Sequence, residues 1–306
     1  MRIAIVGAGA LGSAFGAGFI RSGHDVTFVD VSAALVGTLN ATGITIVDGG
    51  RQATVAVRAT TDAATLGLPD LVLVFVKAYD TDGAARMIAP IVGPDTVIGT
   101  LQNGLGAGAV LASHCPDARI VYGVTYHAAT VLEPGLVRHS VGPTFAGPHD
   151  GDDTRAAQRL ADACVEAGWP ADTLLDVAPA VWKKLLLNCT NAVAALTGMN
   201  GAAEVADDHV RRLLRAVMAE AIEVAHALGH TSLDLEACVR DMHGVLTRAG
   251  EGRASMLQDF DAGRRTEIDA LNGAVVRAAE GLGIDVPINR ALHSLVKGWE
   301  RTHGFD

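Results

Sequence analysis

Cysteine is scarce in this chain. There are four, Cys115, Cys164, Cys189 and Cys238, with no close pair and no CxxC. That spacing excludes a disulfide framework and a cysteine-based zinc site, and it fits a reducing compartment. Long apolar runs are also missing. Stretches such as Leu71–Val76 and Ala192–Leu196 fall far short of the ~18–20 residues that span a bilayer, so no membrane partner is expected. The sequence begins with a strand-like Ile3-Ala4-Ile5-Val6 instead of an apolar leader with a cleavage site, and the expected location is cytoplasmic. Basic charge is in deficit: 24 Lys and Arg stand against 34 Asp and Glu, for a net charge of −10. Neither half of the chain offers a basic surface, which argues against nucleic acid. No histidine spacing such as HExxH is present, so no metal is expected. Lysine is the scarcest base, with only Lys77, Lys183, Lys184 and Lys297, so each place where it replaces arginine invites a reason.

What the chain has in quantity is apolar residues, 49% against 19% charged. That composition excludes intrinsic disorder, and 306 residues suffice for about two domains. The first part alternates strands and helices: strand-like Arg2–Val6, a helix over Ala10–Ser22, then His24–Asp30 as a second strand. Ile44–Val47 and Thr54–Ala59 read as an antiparallel pair or strand extension around Asp48-Gly49-Gly50. Leu71–Val76, Thr96–Leu101, Ile120–Tyr126 and Leu136–Ser140 continue as strands, with a helix over Thr81–Val92. Such alternation implies a parallel sheet covered by helices on both faces. After an amphipathic helix (Thr154–Gly168) and a last short strand (Thr173–Val177), nearly everything is helical. The predicted helices are Val181–Leu196, Glu204–Leu228, Ser232–Ala249, Gly252–Asp261, Thr266–Gly283 and Asn289–Arg301. The fold class is therefore α/β: a Rossmann-type doubly wound parallel sheet over residues 1–177, followed by an all-helical domain over 178–306.

Gly7-Ala8-Gly9-Ala10-Leu11-Gly12 is a GxGxxG that follows a strand and opens a helix. In that context Gly7 makes the tight turn, Gly9 lets a pyrophosphate reach the backbone, and Gly12 lets the helix pack on the strand. The phosphates then lie at the positive end of the helix. The motif predicts a dinucleotide cofactor. Asp30 ends the next strand, 18 residues after Gly12, where a carboxylate accepts from the adenosine ribose diol and repels a 2′-phosphate. Val31 and Ser32 follow, and no base appears before Arg51. NAD is therefore favoured over NADP.

Several further motifs, in order along the chain, resemble the ketopantoate reductase (2-dehydropantoate 2-reductase) family. They are GAGALG at the start, VKAYD at 76–80, LQNGLG at 101–106, TYHAA at 125–129, WKKLLLNC at 182–189, SMLQD at 255–259 and RRTEIDALNG at 264–273. The resemblance implies a Rossmann domain, a helical domain, and an active site in the cleft between them. It implies reduction of a 2-keto acid, ketopantoate first of all, to (R)-pantoate with a nicotinamide cofactor. The alternative is an NAD-dependent D-2-hydroxyacid dehydrogenase of the same family acting on another bulky, branched or aromatic keto acid. A non-catalytic dinucleotide sensor would be expected to lack Lys184 or Glu267, and both are present.

Lys184 and Asn188 are four apart on a predicted helix and share its face, with Asn191 at i+7. Carbonyl reduction needs an acid at the oxygen, and a lysine shielded from water supplies one. The resemblance makes Lys184 the proton donor and leaves Lys183 on the surface. The family's second asparagine aligns with Ala192; helical phase or a local shift would let Asn191 serve instead. By the same resemblance Ser255 binds the substrate carboxylate. Glu267, placed in the first turn of a predicted helix, bonds the substrate hydroxyl and steadies Lys184. Asn103 contacts the nicotinamide ribose and the substrate, and Lys77 the cofactor ribose or substrate region; both follow parallel strands at the edge where such sheets bind ligands. His127 fits a structural role at least as well as a substrate contact. The long helix over Glu204–Leu228 carries apolar residues that would pack either inside the domain or across a homodimer interface.

Overall fold

A computed structural model describes residues 1–305. The chain resolves into two compact units, one of residues 1–102 and 107–177, the other of residues 103–106 and 178–306. In chain order the first unit contains β1 (Arg2–Val6), α1 (Ala10–Arg21), β2 (Asp25–Val29), α2 (Ala33–Thr42), β3 (Ile44–Asp48), β4 (Arg51–Val55), β5 (Arg58–Thr60), β6 (Leu71–Val74), α3 (Thr81–Ile88), β7 (Val97–Thr100), α4 (Ala107–His114), β8 (Arg119–Thr125), β9 (Ala128–Glu133), β10 (Leu136–Ser140), β11 (Thr144–Pro148), α5 (Arg155–Glu166) and β12 (Ala171–Thr173).

Eight strands form one sheet in the order β12-β11-β8-β7-β6-β1-β2-β5. All neighbours are parallel except β8 and β11. Its central strands are buried on both faces, which is why β1 and β6 read as continuous apolar runs. Ile3 and Ile5 of β1 pack with Phe15 and Phe19 of α1 on one face. Ala4 and Val6 pack with α3 and with Leu111 of α4 on the other. The chain runs outward from β1 to β2 and then returns to β6 on β1's other side. The topological switch point thus lies between β1 and β6, outside whose carboxyl ends such sheets take their ligands.

The structure adds what the sequence reading did not separate. Thr54–Ala59 is not one strand: β4 joins a second, four-stranded sheet (β4-β3-β10-β9), whereas β5 is the edge of the main one. The expected antiparallel pairing of β3 with β4 is present. Helix α2, rich in residues of modest helix propensity, is started by Ser32, whose Oγ accepts from the Leu35 N–H at 3.2 Å.

The second unit contains α6 (Ala178–Cys189), α7 (Asn191–Thr197), α8 (Gly201–Ala206), α9 (Asp208–Ala227), α10 (Leu235–Ala249), α11 (Ser255–Asp261), α12 (Asn272–Leu282) and α13 (Pro287–Thr302). They enclose one apolar core that includes Leu185, Leu186, Leu214, Met218, Val275 and Val296. Three predicted helices are corrected. The one over 204–228 is interrupted at Asp207, whose carboxylate accepts from the His209 and Val210 N–H groups and starts α9. The one over 181–196 is interrupted at Thr190. The one over 266–283 begins only at Asn272, so Glu267 lies in a turn segment ahead of the helix and not in its first turn. No helix among the described residues is long and apolar enough to cross a membrane, and no group of three or more His, Cys, Asp or Glu is placed to hold a metal.

Candidate functional site

In the first unit, the Gly7–Gly12 loop joins β1 to α1 at the switch point. Each glycine has a distinct steric reason. Gly7 adopts a φ of +94°, and a Cβ there would come within 2.8 Å of the Val76 nitrogen. A Cβ on Gly12 would stand 2.0 Å from the Gly7 carbonyl oxygen, so that position admits no side chain. A Cβ on Gly9 would meet nothing within 4 Å. Its backbone borders open space at the N-terminus of α1, which no side chain caps. Packing therefore does not demand glycine here, and the free N–H groups of such a helix start could hold an anion. Ala8, Ala10 and Leu11 complete the loop.

Asp30 sits one residue beyond β2, on the strand next to β1. Its Oδ2 accepts from the Ala8 N–H and its Oδ1 from the Ser32 N–H, both at 2.9 Å. The carboxylate is thereby tied to the glycine loop, while Val31 beside it is almost fully exposed. Lys77 follows β6, on the other side of β1. The segment that carries it is held by Gln102, whose Nε2 donates to the Val76 carbonyl at 2.7 Å and to Thr81 Oγ1 at 2.9 Å. The sequence reading placed Gln102 in the LQNGLG motif without giving it a role; a polar residue directly after an apolar strand was the signal. His127 is buried, with Nδ1 2.7 Å from Nε2 of His139. It packs against Phe15 and Trp169, a place in the core of this unit.

The remaining candidates gather in the second unit. Lys184 and Asn188 are one turn apart on α6. Asn188 Nδ2 donates to Asn103 Oδ1 at 3.3 Å. Asn103 belongs to the loop 103–106, which is fixed here because Leu105 N–H donates to the Ala270 carbonyl at 3.0 Å. Gly104, at φ +88°, passes so close to Ala270 that a Cβ would lie 2.2 Å from its oxygen. Lys183, by contrast, pairs with Asp241 at 2.7 Å on the exposed side of α6.

The interruption at Thr190 decides the fate of the next asparagine. The Cys189 carbonyl accepts from the buried Asn272 Nδ2 at 3.1 Å, and Thr190 Oγ1 donates to the Leu187 carbonyl at 2.6 Å. The helix restarts as α7 at Asn191. Ala192 turns into the core, fully buried, and Asn191 Nδ2 donates to Ser255 Oγ at 3.4 Å. Asn191 and Ser255 are the first residues of α7 and α11, so the two helix starts meet.

Burial pulls the Lys184 ammonium down to about 8, against the opposing pull of the Glu267 carboxylate. Desolvation therefore outweighs the charge partner, which leaves an amine that exchanges its proton near neutral pH. The structure thus brings six expected residues together as three pairs: Lys184 with Glu267, Asn188 with Asn103, and Asn191 with Ser255. It sets Lys77, Asp30 and the glycine loop in the other unit. Such a set can bind a small polar anion with a carbonyl and deliver a proton to it.

Comparison with known proteins identifies the family. The family model "Ketopantoate reductase PanE/ApbA" matches residues 3–151, and "Ketopantoate reductase PanE/ApbA C terminal" matches residues 176–300. A 2-dehydropantoate 2-reductase of Archaeoglobus fulgidus is 33% identical, the alignment covering 98% of both chains. Among solved structures, a PanE/ApbA family ketopantoate reductase from Ralstonia eutropha JMP134 superposes with a TM-score of 0.89 at 33% identity, covering 99% of each chain. D-mandelate dehydrogenase, in a ternary structure with NADH and anilino(oxo)acetate, superposes with a TM-score of 0.93 at 27% identity, also covering 99% of each. By fold, by motif and by these matches, the chain belongs to the ketopantoate reductase family of oxidoreductases.

Proposed function

We propose that this protein reduces 2-dehydropantoate to (R)-pantoate, with NADH preferred over NADPH and Lys184 as the proton donor. The observation that carries the reading is Lys184 itself. It is a partly covered lysine brought down to about 8 by burial, on one helix face with Asn188, with Glu267 as its charge partner. The residues present suit a dinucleotide. Gly7–Gly12 would take the pyrophosphate over the open backbone of Gly9, and Asp30 would accept from the ribose diol, with Lys77 near the nicotinamide side. When bound, that cofactor supplies the hydride. The chain's own task is to hold the keto acid and to stabilise the oxygen on which negative charge develops. Ser255, with Asn191 beside it, would bind the carboxylate; Asn188 and Asn103 would orient the carbonyl; Lys184 would give its proton to the oxygen. Glu267 would accept from the substrate hydroxyl and keep Lys184 charged.

A second reading has a specific observation behind it. The side chain at 192 is a buried alanine where the family has an asparagine, and the superposition on D-mandelate dehydrogenase is close. A D-2-hydroxyacid dehydrogenase acting on another bulky keto acid fits those two facts. Cofactor oxidation with ketopantoate and a panel of branched and aromatic 2-keto acids separates the two readings. Ketopantoate should give the highest kcat/KM; turnover of none of these acids would overturn both.

A further inference from the structure

Glu267 sits in an irregular segment with no helix of its own to hold it, and the structure supplies a clamp from α13. Glu300 is fully buried. Its Oε1 accepts from the Thr266 N–H at 2.8 Å and from the Thr266 hydroxyl at 2.7 Å. The same hydroxyl oxygen accepts from the Ile268 N–H at 3.2 Å. The Thr266 hydroxyl, held by Glu300, thus bridges the residues on either side of Glu267. Lys297, one turn earlier on α13, donates to Glu300 Oε2 at 2.7 Å and to Asp269 Oδ2 at 3.1 Å. His293 meets Asp269 Oδ1 at 2.8 Å. Residues 293, 297 and 300 share one helix face, and together they grip the turn at Thr266 and again at Asp269.

A buried carboxylate costs desolvation unless it is fully partnered. Here its partners are Thr266, which it holds directly, and Lys297, through which it is linked to Asp269. We propose that Glu300 is a positioning residue: acting through Thr266, it sets the placement of Glu267 toward Lys184 and the keto acid. The proposal rests on the reading of Lys184 and Glu267 given above. Glu300 touches no substrate in it; its effect passes through one backbone segment.

The test uses the full-length enzyme and four variants: E300Q, T266A, T266S and E267Q. Far-UV circular dichroism and Tm establish folding, and coenzyme affinity is measured by fluorescence titration. The pH dependence of kcat/KM for the keto acid is then compared. T266A loses the hydroxyl bridge, and T266S keeps it. The expected result is a loss of kcat/KM between about 10- and 100-fold in E300Q and T266A, the scale of a lost charge-assisted hydrogen bond or a small misplacement. Coenzyme affinity stays unchanged, the alkaline limb moves toward lower pH as it does in E267Q, and T266S restores the native profile. If E300Q does not fold, the T266A and T266S pair carries the comparison. Native kcat/KM and a native alkaline limb in folded T266A or E300Q, beside a displaced limb in E267Q, would overturn the clamp alone. An unmoved limb in E267Q would remove the reading beneath it, and the clamp with it.

Discussion

The ammonium of Lys184 should make the reduction fail on the alkaline side. Its ordinary value is 10.5, and burial brings it to about 8 despite Glu267. A displacement of that size is about 3 kcal/mol of preference for the neutral amine. The donor must carry its proton before the step, so kcat for keto-acid reduction should be level below pH 7 and fall about tenfold per unit well above 8. Oxidation of the hydroxy acid needs the neutral amine and should rise through the same range. Glu267→Gln removes the charge that opposes desolvation, and loss of a neighbouring carboxylate moves such a value by roughly 1–3 units. With a downward move of one unit, Lys184 at pH 8 would go from half charged to about a tenth, a loss of about fivefold from this cause alone. Lys184→Ala should lose about 10²–10⁴ in kcat with NADH still bound. Lys184→Arg, which keeps the charge but holds its proton, should recover binding and little of the rate. Single-turnover kinetics across pH 6–10 (a range set by roughly two units either side of the Lys184 value) decides it. A Lys184→Ala enzyme with near-native kcat, or an alkaline limb that ignores Glu267→Gln, would refute the reasoning.

Gly9→Val should abolish coenzyme binding at little cost in Tm, because the position has negative φ and open space around its Cβ; a folded variant with native NADH affinity would show that this loop is not the phosphate site. The native enzyme should show higher kcat/KM with NADH than with NADPH, and Asp30→Ala should move that ratio toward NADPH; steady-state kinetics with both coenzymes checks it, and an NADPH preference in the native enzyme refutes it. Glu204 is 2% exposed, its Oε1 has no hydrogen-bond partner among the described residues, and burial pushes its carboxyl up from 4.5 to about 7. Between those values the folded chain keeps a proton that the unfolded chain has lost, so stability declines as pH rises through that window. Glu204→Gln should raise Tm at pH 8 and leave it nearly unchanged below the 4.5 of the free carboxyl, a difference readable by calorimetry.

The fold was legible where one physical cause dominates. Continuous apolar runs marked β1 and β6 because both faces of those strands are buried. The glycine spacing marked the loop because two of its three glycines have no room for a Cβ. The helical unit was legible in outline but not in its interruptions. Asp207 starts α9 as a side-chain cap, and the Asp207-Asp208 pair does read as a helix start, although helical periodicity runs across it; the break at Thr190 involves Asn272, far away in sequence. For the same reason Glu267 was read into a helix: its segment is apolar at helical spacing, and only the grip of Glu300 on Thr266 shows why it stays irregular. The site residues were named mainly from resemblance. Helical phase alone paired Lys184 with Asn188, but the meeting of Asn191 with Ser255 needed the break at Thr190.

The loop 103–106 makes the helical unit discontinuous. Four residues made early in synthesis belong with helices made much later, and the bond from Asn188 to Asn103 spans 85 positions. The nascent chain must therefore present this loop and keep it accessible until α6 and the turn at Ala270 have emerged. A fragment of residues 178–306 would lack the acceptor for Asn188 and the strand-end peptide that covers Ala270. Modular exchange with a relative is constrained in the same way. A single crossover at residue 177 grafts helices onto a foreign loop, whereas a chimera that carries its own 103–106 transfers the unit whole.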